Sequence, residues 1–64
     1  MTGNDLHALR LRLGLTRYEI GLLLGLEGNS HTVRTAIMRY ERRRKHPLPP
    51  RIDHVIKQKG YDQQ

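Results

Sequence analysis

The residues able to do chemistry in this chain are its cations. Lys and Arg number 12 against 6 Asp and Glu in 64 residues, a formal net charge of +6. The pI is near 10.6, and seven of the 12 cations fall between Arg34 and Arg51. A merely solubilising charge would be spread along the chain, whereas this cluster makes one face that attracts polyanions and speeds encounter with them. The groups that enzymes use are not assembled in any readable way. Cysteine is absent, which removes disulfides and thiolate zinc sites. No serine is paired with a histidine by a recognisable logic, and no two carboxylates share a helix face. His7, His31, His46 and His54 lack the spacing of a helical metal site. The chain therefore reads as a non-enzymatic protein with no cofactor or metal, and duplex DNA is its leading partner.

Something rigid must present those cations, and the apolar pattern says what it is. At 64 residues the chain is one domain, 1–64, in which folding buries only about 60% of the unfolded surface. That leaves no room for a deep cleft. No apolar run approaches the roughly 20 residues that span a bilayer, and Met1 to Asp5 lack the basic and apolar regions of a signal peptide, so a cytoplasmic protein without a membrane partner is expected. Leu6, Leu9 and Leu13 recur at helical spacing and predict a helix over about 4–13, capped by Asn4 or Asp5 and ended by Gly14. Thr16 and Glu19 have the spacing of a capping box, which starts a second helix over 17–24 with Ile20, Leu23 and Leu24 inward. Gly25 is placed for the left-handed conformation after it. Gly21, inside that helix, costs about 1 kcal/mol relative to alanine, so close approach of the next helix is the reason expected for it.

After a connection at Leu26-Glu27-Gly28-Asn29, with Asn29 or Ser30 as cap, a long helix over 30–43 is predicted. Its core stripe is Val33, Ala36, Ile37 and Tyr40. Counting about 100° per residue, the opposite side carries His31, Arg34, Thr35, Met38 and Arg42, with Arg39 on the flank; this face is polar, cationic and free of acids. The prolines of His46-Pro47-Leu48-Pro49-Pro50 impose an extended turn, and Pro50 suits the first turn of a last helix over 50–59. Ile52, Val55 and Ile56 give that helix an apolar face, Gly60 stops it, and Tyr61 is placed to fold back as an apolar contact. Asp62 to Gln64 look frayed. Leu11 and Leu22 fit no inward stripe cleanly, which leaves them at the edge of the core or on a dimer surface. The fold class is all-α, a compact domain of four helices, or five.

Leu9-Arg10, then Leu13-Gly14-Leu15-Thr16-Arg17-Tyr18-Glu19-Ile20-Gly21 with Leu24-Gly25-Leu26, and later Ile37-Met38-Arg39-Tyr40-Glu41-Arg42, resemble the Cro-like or XRE-type helix-turn-helix regulators. The lambda-repressor-like DNA-binding domains belong to that family. Pro47 to Ile52 resembles the proline-containing lead into the family's fourth helix, so the resemblance covers most of the chain. A narrower and weaker resemblance is to small phage-type regulators, including the repressors that accompany anti-CRISPR genes. Two departures stand out. The interval from Gly25 to Ile37 is about six residues longer than usual in this motif, which reads as roughly two residues of loop and one extra helical turn. The glycine that follows the Arg-Tyr-Glu-Arg stretch in the family is Arg43 here.

The resemblance implies a third helix that enters the major groove while the start of the second grips the backbone. Arg17 falls where the family usually has a phosphate-contacting glutamine, and Gly21 at the family's small alanine. Phosphate binding is accordingly expected of Arg17, Tyr40, Arg42, Arg43, Arg44 and Lys45, and base reading of Asn29, Ser30, His31, Arg34, Thr35, Met38 and Arg39. Tyr40 is expected to be mainly core with its hydroxyl near a phosphate, and Glu41 to pair with a neighbouring arginine. The expected function is that of a sequence-specific transcriptional repressor, prokaryotic or phage-encoded, acting as a homodimer on an inverted repeat, with no effector evident. The alternative is a protein-interaction or RNA-binding module built on the same basic surface.

Overall fold

Capping geometry sets the four helices of the computed structural model, which describes residues 1–61. They are α1 (Gly3–Leu13), α2 (Arg17–Leu23), α3 (Ser30–Arg42) and α4 (Pro50–Lys59), and there is neither a fifth helix nor a strand among the described residues. The expectations for Asp62 to Gln64 lie outside them.

The start of α1 differs from the sequence expectation. Its cap is Thr2, not Asn4 or Asp5: the Thr2 hydroxyl accepts from the Asp5 amide while the Asp5 carboxylate accepts from the Thr2 amide. Asp5 therefore does serve the helix terminus, but from the third helical position, as the acid of a capping box. The Thr16 and Glu19 box forms as expected at α2. Hydrogen bonds from the Thr2 and Thr16 amides hold Asp5 and Glu19 respectively below the usual carboxylate range. At α3 the Asn29 side chain accepts from the Thr32 amide at 2.9 Å. Pro50 occupies the first turn of α4 after Pro49. Gly14, Gly25 and Gly60 all take positive φ at helix ends.

Leu6 and Leu9 of α1, Ile20 and Leu24 from α2 and its cap, Val33 and Ile37 of α3, and Ile52 and Ile56 of α4 are all buried, and Leu48 joins them from the loop before α4. Leu13, Leu15, Leu26, Tyr40, Val55 and Tyr61 pack against this centre while remaining partly exposed. Leu23 and Ala36, expected inward, are only half-buried. Leu11 and Leu22 are exposed, which removes them from the core. The molecule measures 29 × 22 × 22 Å.

The crossing of α2 and α3 explains Gly21. A Cβ there would collide with Val33 Cγ1 and come to 3.4 Å from Ile37 Cγ1, so no side chain fits without displacing a buried, β-branched neighbour. Alanine would gain about 1 kcal/mol of helix propensity but incur an overpacking cost of about 1 to 3 kcal/mol. We expect Gly21→Ala to destabilise the protein by about 1 kcal/mol in urea unfolding. Adding Val33→Ala should then cost less than the same change does alone; strict additivity of the two would refute the packing reason.

A second close approach ties the N-terminus to the loop after α3. The Leu48 amide donates to the Met1 carbonyl at 2.8 Å, the Asn4 amide to the Arg44 carbonyl at 3.0 Å, and the Gly3 amide to the His46 carbonyl at 3.3 Å. Thr2 and Pro47 form an isolated bridge. The prolines keep residues 47–49 extended, so the segment lies alongside residues 1–4 and uses backbone groups that would otherwise need water. Its basic residues, Arg43, Arg44 and Lys45, are thus carried on a loop anchored at both sides.

Candidate nucleic-acid interface

The orientation of α3 decides which of its side chains face outward, and a buried acid decides the orientation. Val33, Ile37 and Glu41 form the buried row of this helix, with Glu41 only 8% exposed. Tyr40, expected as the fourth core position, is only partly buried. Replacing Tyr40 by Glu41 in the inward row turns the helix by some tens of degrees at about 100° per residue. Arg39 and Arg42, both exposed, then lie opposite the buried row, and Arg39 moves from the expected flank toward the middle of the exposed face. Met38 turns toward α1 and the start of α2, where it lines a groove with Asn4, His7 and Arg17.

Glu41 is inward because cations from two other helices meet it there. Arg10 Nε donates to one carboxylate oxygen at 2.6 Å, and Arg17 Nε to the other at 3.1 Å. Arg10 is itself only 12% exposed and also donates to the Leu15 carbonyl. His7 Nδ1 lies 3.4 Å from the oxygen that Arg17 holds. Burial pushes the Glu41 carboxyl up, but the hydrogen bonds from Arg10 and Arg17, reinforced by the Arg10 charge and by His7, outweigh it and hold the group below the usual range. The expected pairing of Glu41 with an arginine is therefore met by residues far off in sequence, not by Arg42, Arg43 or Arg44. One carboxylate bolts α1 and α2 to the last turn of α3. With Arg39 two residues before it and Arg42 to Arg44 directly after it, a local reading had no reason to prefer the distant pair.

The candidate base readers distribute as follows. Ser30, His31, Arg34 and Arg39 are exposed, and Thr35 and Met38 are half-buried. Asn29 is exposed but spends its side-chain oxygen on the cap of α3, leaving its amide nitrogen for any contact. His31, Thr32, Thr35, Ala36 and Arg39 line one shallow depression, and Ala36, Arg39, Tyr40 and Arg43 line the next. Thr32, which the sequence did not single out, and Ala36, expected in the core stripe, are additions to the expected set. Glu41 is the one acid in α3, and it faces inward, so the exposed surface of this helix carries no negative side chain.

Among the candidate phosphate binders, Arg42, Arg43, Arg44 and Lys45 are all exposed at the end of α3 and in the loop. Tyr40 packs partly against the core. Arg17 is held by Glu41 yet remains 40% exposed. A groove of about 400 Å³ between the start of α1, the start of α2 and the end of α3 brings together Asn4, His7, Arg17, Glu41, Arg42 and Arg44, with Met38 at its edge. Asn4 and His7 are additions to the expected set. Asn4, His7 and Arg10 recur at i, i+3 and i+6, a polar stripe on α1 that could have drawn attention to them.

Among the described residues no group of three His, Asp or Glu is arranged to hold a metal ion, and no helix is long and apolar enough to cross a membrane. Comparison of the chain with protein-family models, curated proteins and solved structures gave no match.

Proposed function

We propose that this protein is a sequence-specific duplex-DNA-binding regulator in which α2 and α3 form a helix-turn-helix and α3 reads the major groove. The observation that supports this most is the cationic outer face of α3, bare of acids and flanked by the basic loop 43–45. A duplex is an anion with one negative charge per roughly 1.7 Å of axis, and a straight helix with flanking cations matches its groove and backbone together. Arg39 lies at the middle of the face and is the base reader we favour, since arginine can donate twice to guanine. Arg42, Arg43, Arg44 and Lys45 act as phosphate contacts. We further propose that the protein represses by occupying a promoter, its own included. One such unit reads few base pairs, so it acts as a homodimer on an inverted repeat; exposed Leu11 and Leu22 are the apolar groups available for that contact.

The test is selection of bound sites from random duplexes, followed by mobility shift with duplex and RNA competitors. A recovered inverted repeat, displaced by duplex but not by RNA, is the expected result; displacement by RNA alone would refute the proposal. Affinity should fall by about 10³ to 10⁵ between 50 and 200 mM salt for some 6 to 10 phosphate contacts per complex. Arg39→Ala should lower discrimination among bases by about 1 to 3 kcal/mol, whereas Lys45→Ala should weaken all duplexes alike and lower the salt slope by about 1. Footprinting that shows the reverse ranking would exchange their roles.

A further inference from the structure

The groove between α1 and the end of α3 contains a feature that a row of phosphate-binding cations does not need, a histidine on a shared oxygen. We propose that this groove is a site for a phosphate-type anion, with His7, Arg17, Arg42 and Arg44 as its cations, and that anion binding there is coupled to protonation of His7.

The geometry carries this as follows. Arg10 holds one Glu41 oxygen at 2.6 Å. The other oxygen is shared by Arg17 Nε at 3.1 Å and His7 Nδ1 at 3.4 Å. The same Nδ1 lies 3.5 Å from Arg10 Nη2. One ring nitrogen cannot serve both contacts at once: with a lone pair it accepts from Arg10, and with a proton it donates to Glu41. His7 is 47% exposed, so water and ions reach it. The groups facing it are Arg10 on its own helix, Arg17 from α2, and Glu41 and Arg42 from α3, with Arg44 of the loop across the groove. Three of the four arginines lie on the groove, and the only acid among these groups is already neutralised by Arg10 and Arg17. Proton uptake at His7 in an empty groove therefore adds a fourth cation to the lining. An anion with two or more charges is attracted to that added cation, and by linkage whatever the anion does to the His7 proton, the proton does equally to the anion. Arg17 contributes through its terminal nitrogens, which have no partner among the described residues.

The occupant could be a free phosphorylated species or one phosphate of a nucleic-acid backbone; the second source rests on the DNA reading above and the first does not. The experiment follows the four histidine ring signals of the intact protein by NMR through a pH titration, in chloride and in pyrophosphate at equal ionic strength. Pyrophosphate should move the His7 titration to higher pH, and the signal of His54, on α4 and outside the groove, should stay in place. Binding of pyrophosphate by the wild type should strengthen about fivefold from pH 7.5 to 5.5, the size of one partly exposed charge contact, and His7→Gln should abolish most of that increment. A His7 curve indifferent to pyrophosphate, or an unchanged pH dependence in His7→Gln, overturns the proposal. A third titration with duplex DNA separates the sources. A His7 shift with duplex assigns the site to a backbone phosphate. A shift with pyrophosphate in a protein that binds no duplex upholds the site for a free anion while the DNA reading fails.

Discussion

Glu41→Ala is expected to destabilise the protein by about 3 kcal/mol, the lower end of what breaking a buried ion pair costs. The reason is the arginine left behind. Arg10 is almost buried and would keep only the Leu15 carbonyl and the long contact to His7, whereas Arg17 can turn into solvent and loses little. In a domain of this size such a loss lowers the melting temperature by about 12 °C or more. Glu41→Gln, which retains an acceptor but not the charge, should fall between the two. The pair Arg10→Met with Glu41→Leu removes both charges together and should recover most of the loss, since a buried ion pair rarely outperforms well-packed apolar groups. Thermal unfolding of the four proteins checks this; a melting point for Glu41→Ala within 3 °C of the wild type would show that the carboxylate does not hold the helices.

The pH dependence follows in sign from the same contacts. The folded protein holds the Glu41 carboxyl below its ordinary range, so the stability it contributes is fully present above about pH 4.3, the ordinary glutamate value. It is lost as the pH falls through the depressed folded value. Acid unfolding of the wild type should therefore be steeper in this window than that of Glu41→Gln.

Gly3→Ala is expected to cost about 3 kcal/mol, the upper end of overpacking effects, against a helix-propensity argument that points the other way. Alanine in the first turn of a helix is ordinarily preferred to glycine by up to about 1 kcal/mol. Here a Cβ would collide with the Tyr40 carbonyl oxygen and stand 2.6 Å from that of Arg43, both of them backbone atoms at the end of α3. Neither can rotate away as a side chain would. The chain has two responses: to shift α3, or to release residues 1–4 from the loop. Release breaks the bonds from Gly3, Asn4 and Leu48 to their partners and frees the basic loop. Hydrogen exchange of the Asn4 and Leu48 amides distinguishes this from a global loss, and wild-type protection at both sites with an unchanged melting point would contradict the close approach. If the loop supplies phosphate contacts, the released form should also bind duplex more weakly at low denaturant.

Much of the architecture was legible from local rules. The Thr16 and Glu19 box, the three helix-ending glycines and Pro50 are signals whose partners lie within a few residues, so they act almost independently of what surrounds them. Leu6, Leu9, Ile20, Val33, Ile37, Ile52 and Ile56 were legible by spacing because apolar burial is non-directional and needs only a common face. The cap of α1 was read as Asn4 or Asp5 and is Thr2 because all three are good helix-start residues, and the choice was made by the loop to which residues 1–4 are bound.

The candidate site was only half legible, for a reason that Glu41 makes plain. Composition located the cations, and periodicity put them on the outer side of α3, because both are properties of one segment. The exact facing of that helix was set by a polar contact between residues 31 and 24 positions apart, which no periodicity records. Burying an acid is favourable only where two guanidinium groups already converge, and their convergence exists only once α1, α2 and α3 have packed. The sequence alone determined which elements form and that their free surface is cationic. Only the tertiary structure decided which cations remain on that surface, with Arg39 turned to its centre, Arg10 withdrawn into the interior and His7 brought to the edge of a groove. Long-range pairing supplies the free energy for those choices, and it has no signature in the order of neighbouring residues.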